Sequence, residues 1–346
     1  MTRIRLSDPR WRPAEFLVGT TIALIALDAG QGRFLSDITA FSALQLFANF
    51  GPVALGLGLT MLVGEFDLSV AGMFSVAACI AVLTGVTSPA LGVILAVLTG
   101  LAGGIVQGVI MTRLRLSSVG VTLGGLLVFN GLAYVMTQSR SVPYAGVDVA
   151  VAINNHIAGI FSVRSLVAIA LYVVAGVIIG VTRIGRDLTA IGSDRRAALI
   201  AGVNVERLVI GTFAVSGGLA ALSGALLGYS LAAATPSGLS DILVPAAAAA
   251  IIGGVSLGGG TGRPLGIAIG VLTLAVLRSG LNALGLSPFV TDVMTGGILV
   301  SVAILDAPGF ARFARRAAFR ARSDRAEAGA DKAVPADTVP AKHGGS

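Results

Sequence analysis

Long apolar segments recur along this chain, and they constrain its fold more than any other feature of the sequence. A helix needs about 20 consecutive, mostly apolar residues to cross a bilayer, and such segments alternate with short polar stretches from residue 14 to residue 305. Charged residues make up only 12% of the 346 residues, whereas a soluble domain carries about 25%. Because the apolar segments are long rather than short and alternating, an outer-membrane barrel is excluded. The sequence predicts an all-α polytopic membrane protein.

About ten transmembrane helices are expected, with both termini cytoplasmic. Arginines precede the first segment, lie between the fourth and fifth, and follow the last, and Lys/Arg-rich segments stay on the cytoplasmic side. These positions require an even number of crossings, so the net charge of +7 reports topology rather than nucleic-acid binding. The predicted spans are Ala14–Ala29, Ala40–Val63, Leu68–Val86, Ser88–Met111, Ser118–Gln138, Leu166–Val181, Leu208–Ala232, a short half-helix at Leu243–Gly254, Pro264–Leu284 and Pro288–Leu305.

Between two long apolar segments lies a charged one, Thr182–Phe213, which carries eight charges. Since each charge at the centre of a bilayer costs about 2.5 to 3.5 kcal/mol on the insertion scale, the segment must face water. Ser193 or Asp194 can cap a short helix over Arg195–Val203, with an apolar face of Ala198, Leu199 and Ala201 and a stop at Gly202. Such a helix is a docking element by shape, and the alternative is an ordinary cytoplasmic loop.

A second interruption, Gly64–Ser69, places two carboxylates inside what would otherwise be one continuous apolar run. Asp67 and Ser69 are good N-cap residues for the following helix, and capping is the simpler interpretation. The functional interpretation is a helix break at which the polar backbone and carboxylate face a cavity. From Ser139 to Ser162 we predict the longest polar loop before the tail, on the outer side.

Polar residues inside other spans are candidate solute contacts. Thr122 and Asn130 lie in the fifth span, and Arg278 and Asn282 lie one helical turn apart in the ninth. A buried Asn is more often an interhelical hydrogen-bonding residue than a ligand. Arg278 can extend to the outer interface, pair with Asp292 on the next span, or meet an anionic substrate.

The segment Gly253–Arg263 resembles a phosphate loop only superficially, because it lacks the Gly-Lys-Ser/Thr ending and no strand precedes it. A glycine-rich hinge or tight inside turn is the better interpretation. The chain contains neither a metal-binding cluster nor a nucleophile–base pair, so an enzyme is not expected.

Five motifs, in order, resemble those of permease subunits of sugar-type ABC importers, the ribose, xylose, arabinose and galactoside group. The first is similar to the family's GxxDLSVG signature, the third to its cytoplasmic loop that docks on the ATPase, and the fourth to its GGTSLxGGxG stretch. The motifs are Gly64–Val70, Thr122–Ala133, Gly185–Asn204, Gly253–Gly262 and Gly280–Asn282. Together they cover about Gly51 to Asp306.

The resemblance implies a type II-like ABC importer permease fold in the inner membrane, moving a monosaccharide by alternating access. It implies three protein partners besides the surrounding lipid: a cytosolic ABC ATPase subunit that binds ATP and Mg, a periplasmic or extracellular sugar-binding protein, and a second permease copy in a homo- or heterodimer. This chain itself is expected to bind no cofactor.

Residue roles follow from the same resemblance. ATPase docking is expected at Gly185, Arg186, Asp194, Arg195, Arg196, Ala197 and Gly202. The substrate pathway is expected to include Asp67, Ser69, Thr122, Asn130, Arg278 and Asn282. Hinge or packing roles are expected for Gly253, Gly254, Gly258, Gly259 and Gly262. The predicted domains are a cytoplasmic N-terminal segment (1–13), a transmembrane domain (14–310) that includes the coupling loop (183–206), and a basic, then disordered cytoplasmic tail (311–346).

The chain departs from the family pattern at two places that bear on the cargo. Arg278 and Ser279 stand where the family usually has two amides, and Asn130 stands where an arginine is common. The sequence therefore does not name the sugar. A permease for nucleosides or branched-chain amino acids is the nearer alternative, and an ion-coupled transporter that uses Asp67 and Asp292 is the more distant one.

Overall fold

Helices account for almost all of the secondary structure in a computed structural model that describes residues 11–236 and 240–306. The elements are α1 (Arg12–Asp28), α2 (Asp37–Leu62), α3 (Val70–Thr84), α4 (Pro89–Leu114), α5 (Ser118–Thr137), β1 (Val142–Pro143), α6 (Val147–Asn154), α7 (Val163–Val181), α8 (Arg183–Ser193), α9 (Arg195–Ile200), α10 (Val205–Ser230), β2 (Ala233–Ala234), α11 (Leu243–Ile252), α12 (Pro264–Ala283) and α13 (Pro288–Asp306). A helix lies at the place of every predicted span. The predictions for residues 1–10 and for the tail lie outside the described residues.

Six of the described helices are long and apolar enough to cross a membrane: α2, α4, α5, α7, α10 and α12. The helices α3 and α11 are apolar but shorter, which agrees with the prediction that the α11 segment is a half-helix. The chain is therefore a multi-pass membrane protein. Residues up to Thr295 form one compact unit, and a second begins at Gly296, of which the structure describes the last part of α13.

At the centre of the first unit, α10 packs against α2, α3 and α4. Its contact with α4 is a close approach of backbones through glycine. A Cβ on Gly104 would overlap the carbonyl oxygen of Phe213, and a Cβ on Gly100 would overlap that of Gly217. Small residues at such crossings let helices pack without side chains between them, which is how helices associate in lipid.

The helix α2 runs unbroken through Pro52 because other helices satisfy the carbonyl groups near it. Proline has no N–H to donate to the carbonyl four residues earlier, which is that of Ala48. The Ser223 hydroxyl of α10 donates to Ala48 O (3.2 Å) and to Asn49 O (2.6 Å), and the Tyr172 hydroxyl of α7 donates to Gly51 O (2.8 Å). These bonds join α2, α7 and α10.

The two ends of the helix bundle are built differently. One end, called the α8–α9 end below, carries α8, α9 and the glycine-rich loop between α11 and α12, whose Gly260 N–H donates to Leu62 O (3.0 Å). At the opposite end, β1 pairs antiparallel with β2. Tyr144 and Tyr229 donate there to Gly85 O (2.9 Å) and Pro89 O (2.9 Å).

The prediction that Ser139–Ser162 is a loop is wrong, because this segment contains the strand β1 and the helix α6. Valine, alanine and isoleucine alternate with only one charged residue over α6, and these residues favour a regular element over a loop. Asn154 at the end of α6 donates to Ser230 O (3.1 Å), which fastens α6 to α10.

Candidate functional site

The predicted docking segment folds as two helices rather than one. α8 begins where the Thr182 hydroxyl accepts the Ile184 N–H (3.2 Å), and α9 begins where Asp194 Oδ1 accepts the N–H groups of Arg196 (2.9 Å) and Ala197 (3.0 Å). The predicted cap at Asp194 is confirmed. Gly202 follows α9 with a φ of +83°, a left-handed conformation that glycine adopts without strain, so the predicted stop is confirmed as well.

The predicted apolar face of α9 is only partly correct. Ala198 is buried against the ends of α2, α4 and α10 in a cluster with Leu188 and Ile191 of α8. Leu199, in contrast, is 56% exposed, and Ala201 is exposed too. Ala201 follows the last residue of α9, and the neighbouring helices cover only the side of α9 that carries Ala198.

The remaining predicted docking residues lie on or beside the exposed surface of this element. Arg186, Arg196 and Ala197 are exposed. Gly185 is buried where the chain turns from α7 into α8. A Cβ at this position would overlap the carbonyl oxygen of Ile179. Arg195 is not free, since its guanidinium pairs with Glu65 Oε1 (2.8 Å) in the linker between α2 and α3.

The glycine-rich loop after α11 is a tight turn packed against α8. Gly254, Gly259, Gly260 and Gly262 all have positive φ, so the turn needs glycine there. On the α8 side, a Cβ on Gly192 would overlap both Leu62 O and Gly260 N. We call this contact of Leu62, Gly192 and Gly260 the glycine joint.

Two further predicted hinge residues flank the joint. Gly253 ends α11 against α12, where a Cβ would lie 2.6 Å from Gly266 O, whereas the nearest atom to a Cβ on Gly258 is Ser256 Oγ at 3.6 Å. Close packing is therefore found at Gly253 but not at Gly258.

Asp67 lies in a polar network where α2 gives way to α3, and it is 1% exposed. Its Oδ1 accepts the Ser69 N–H (3.0 Å) and hydroxyl (2.6 Å), and its Oδ2 accepts the Ser216 hydroxyl of α10 (2.8 Å). Gln107 of α4 donates to Ser69 Oγ (3.0 Å). Asp67 therefore joins the residue before α3 to α10. The N-cap of α3 is Ser69, and no side chain accepts an N–H group of its first turn, so the predicted capping role of Asp67 and Ser69 is wrong.

Thr122, also predicted to line the pathway, is buried beside this network. Its hydroxyl donates to Ser118 O (2.8 Å) one turn earlier and to Phe66 O (3.3 Å) in the α2–α3 linker. Asn130, two turns further along α5, is half-buried, and its Oδ1 has no hydrogen-bond donor.

The other pathway candidates lie on α12, far along the chain from Asp67. Arg278 donates to Asp292 Oδ1 of α13 (2.9 Å). Of the three interpretations offered for Arg278, this is the pairing with Asp292 on the next span. The Arg278 side chain is 23% exposed and that of Asp292 is 69% exposed. Asn282 is exposed. Within residues 11–236 and 240–306, no hydrogen bond or ion pair joins Arg278 and Asn282 to the Asp67 network, so the six predicted pathway residues form separate groups.

Sequence reasoning missed several polar residues that the fold brings together. Ser216 and Gln107 complete the Asp67 network, and a second buried cluster forms around Arg164 with Gln45 and Asn49. The available signal was a polar residue inside an apolar span, the same signal that identified Thr122 and Asn130. Among the described residues, no group of three His, Cys, Asp or Glu residues is placed to hold a metal ion.

Comparisons with known proteins match nearly the whole length of the chain. The family model described as the permease component of branched-chain amino acid transport systems matches residues 39–303. The ribose import permease of Bacillus subtilis is 31% identical over 309 residues, which cover 88% of this chain and 95% of that protein. The L-arabinose transport system permease of Escherichia coli is 32% identical over 303 residues, covering 86% and 90%.

A third relative is similar over most of its length. The xylose/arabinose import permease of Sulfolobus acidocaldarius is 30% identical over 320 residues, which cover 89% of this chain and 86% of that protein. No solved structure matches the chain.

Proposed function

The chain belongs to the family of transport-system permease components, and on that premise we propose that it is the membrane-spanning subunit of an ATP-driven importer of a monosaccharide. The relatives named above are permeases for ribose, arabinose and xylose, which supports a pentose- or hexose-type cargo. The description of the family names branched-chain amino acids, so these are the second candidate cargo.

One observation carries the proposal: α9 presents apolar side chains to water next to basic ones. Ile200 is 88% exposed and Leu199 is 56% exposed, while Arg196 is exposed on the same short helix. Apolar side chains surrounded by charge at the surface are typical of a protein interface. The partner in this proposal is an ATPase subunit, which binds ATP and Mg and closes when ATP binds. The α8–α9 end is the cytoplasmic end.

Movement of α9 would reach the spans by two connections. The Glu65–Arg195 ion pair (2.8 Å) joins α9 to the α2–α3 linker. The glycine joint connects α8 to the end of α2 and to the loop that leads into α12. A shift of α8 and α9 on ATP binding would therefore tilt α2, α3 and α12 together, as alternating access requires.

The pathway is weakly polar in this proposal. Asn130, Arg278 and Asn282 are half-buried or exposed, so they are accessible to a passing sugar in at least one state. Asp67, Ser69 and Thr122 are buried, and they meet solute only if the helices around the α2–α3 linker separate. A periplasmic or extracellular binding protein delivers the solute, and a second permease copy completes the pathway.

The docking assignment is tested by co-purification with co-expressed ATPase subunits. Because Arg195 is held by Glu65, reversing its charge would disturb the permease itself, and Ile200→Asp is the cleaner change. We expect Ile200→Asp to abolish the stoichiometric ATPase partner, since a carboxylate would be buried in the interface. The matched control is Val151→Asp on α6, a 64% exposed valine at the opposite end.

Retention of the ATPase by Ile200→Asp would refute the docking assignment. A separate experiment identifies the cargo: unlabelled ribose, uridine and leucine are each tested for their ability to inhibit uptake by the transporter. Competition by ribose alone supports a sugar importer, and competition by leucine alone supports the second candidate.

A further inference from the structure

A buried arginine near the end opposite to α8 and α9 has no negative partner. Arg164, in the first turn of α7, is 4% exposed. It donates to Gln45 Oε1 (3.2 Å), to Ser230 Oγ (2.7 Å) and to Asn49 Oδ1. All three acceptors are neutral, and no carboxylate pairs with Arg164 in the part of the chain that the structure describes. Buried charges are normally paired with an opposite charge.

The same cluster holds hydrogen-bond donors that nothing accepts. Arg164 Nε and Gln45 Nε2 are both buried without a partner. The site therefore has more hydrogen-bond donors than acceptors, and it has no negative charge to balance the guanidinium. Within the native fold, a buried unsatisfied donor is unfavourable unless a ligand or water completes it.

Helix electrostatics act in the same direction. The first turn of a helix carries partial positive charge and favours anions, yet Arg164 adds a full positive charge to the first turn of α7. Ser162 and Ser165 already cap this helix, so they do not offset the charge of the guanidinium. The fold thus concentrates positive potential at one point.

The cluster is not sealed from outside. Gln45, Asn49, Asn154 and Ser230 are all half-buried. One turn before Gln45 on α2, the ring of Phe41 stacks on that of His156 with centroids 3.8 Å apart, and His156 is exposed in the connection between α6 and α7. The half-buried amides are the side from which a small solute would approach the guanidinium, whereas a 4% exposed residue offers no surface to a rigid protein partner.

We propose that Gln45, Asn49 and Arg164 form a binding site for the anionic group of a transported sugar, a carboxylate or a phosphate. Two acceptor oxygens of such a group would meet Arg164 Nε and Gln45 Nε2 and would neutralise the guanidinium. Planar guanidinium groups bind carboxylate and phosphate in this way. The inference rests on the proposed function and narrows its cargo from monosaccharides in general to acidic ones.

The test compares ligands that differ only at one carbon. D-galacturonate, D-galactose and D-galactose 6-phosphate are titrated against the purified full chain in lipid nanodiscs, and the dissociation constants are measured by saturation-transfer NMR. We expect at least one anion to bind about tenfold or more tightly than galactose, because the charge-assisted bonds are lost with the neutral sugar. Which anion wins distinguishes a carboxylate site from a phosphate site.

Two variants assign the effect to the cluster. Arg164→Gln should reduce anion affinity to that of galactose. Gln45→Glu places a carboxylate beside the guanidinium, so it should raise the unfolding temperature and weaken anion binding about tenfold or more. A purely structural role of Arg164 predicts the same stabilisation by Gln45→Glu but no change in ligand affinity. Arg140→Gln, an exposed arginine after α5, is the control and should change nothing.

Equal binding of all three sugars by the unsubstituted protein, or no binding of any, overturns the proposal, and so does full anion affinity in Gln45→Glu. These comparisons stand even if Arg164→Gln fails to fold. Co-purification of the ATPase subunit is measured on the same preparation. An ATPase-binding protein without anion preference refutes the anion site alone, whereas loss of both results refutes the transporter assignment as well.

Discussion

Asp67 is a carboxylate that the fold surrounds with hydroxyl and backbone donors instead of a cation. Three bonds of 2.6 to 3.0 Å reach its oxygens. Burial raises the pKa of Asp67, and the hydrogen bonds from Ser69 and Ser216 offset this only in part. Because Asp67 lies in the linker between α2 and α3 and accepts from Ser216, its protonation affects how those helices contact α10.

The raised pKa of Asp67 predicts how stability changes with pH. Between the unfolded and folded pKa values the folded state binds more protons, so the contribution of this group is fully present below the unfolded pKa and is lost as pH rises through the folded pKa. We expect the unfolding temperature of the native protein to fall relative to that of Asp67→Asn as pH is raised from the unfolded pKa of an aspartate, about 4, to about 8. Circular dichroism melting curves of both proteins measure the difference.

A constant difference between the two proteins over that pH range would contradict the raised pKa.

Arg278 depends on a single counter-charge. Its Nε is buried without a hydrogen-bond partner, and among the described residues its one ion pair is with Asp292. Asp292→Asn should therefore destabilise the protein by about 1 to 2 kcal/mol, since a mostly buried guanidinium loses its anion while the exposed carboxylate limits the effect.

Thermal unfolding read by a thiol-reactive dye measures this loss, because Cys79 is the one cysteine of the chain and is buried. The reversed pair, Arg278→Asp with Asp292→Arg, should recover part of the stability if the two charges interact directly. An Asp292→Asn protein as stable as the native one would mean that the ion pair contributes nothing.

At the scale of elements, the contact between α4 and α10 depends on glycine. A Cβ on Gly104 would overlap the carbonyl oxygen of Phe213, and backbone atoms cannot move aside as a flexible side chain does. Gly104→Ala should cost about 1 to 3 kcal/mol by overpacking. The same thermal assay at Cys79 measures it.

The matched control for this change is on the partner helix. Gly211 of α10 has no atom within 4 Å of an added Cβ, so Gly211→Ala should leave stability unchanged or raise it by about 0.5 to 1 kcal/mol through helix propensity. If both substitutions had the same effect, helix propensity and not packing would explain the glycines.

At the scale of the whole molecule, the glycine joint connects the docking element to the spans. Gly192→Ala must push α8 away from Leu62 and Gly260, while the exposed face of α9 stays intact. We expect the ATPase subunit to co-purify normally and uptake to fall severalfold, since binding and transmission are carried by different contacts. Uptake into proteoliposomes, normalised to bound ATPase, measures this.

Gly180→Ala on α7 is the control, because no atom lies within 4 Å of an added Cβ there. Native uptake by Gly192→Ala would remove the joint from the coupling route. Loss of ATPase binding in that variant would show that docking and transmission cannot be separated at this place.

Much of this protein is determined by its sequence alone, because membrane helices must satisfy their backbone hydrogen bonds within each segment. For that reason, apolar length located a helix at each predicted span, and local capping rules predicted Asp194 and Gly202 correctly. The charged segment was identified as an exposed element for the same reason, since its charges exclude it from lipid.

Only the tertiary structure decided which polar side chains meet. Asp67 and Ser216 are 149 residues apart, and Arg164 and Asn49 are 115 apart. No local pattern encodes such pairs, since they depend on how α2, α7 and α10 cross. The sequence also did not determine how α9 packs. Helical periodicity predicts a possible apolar face, but the neighbouring helices decide which residues are buried, and they bury Ala198 and leave Leu199 exposed.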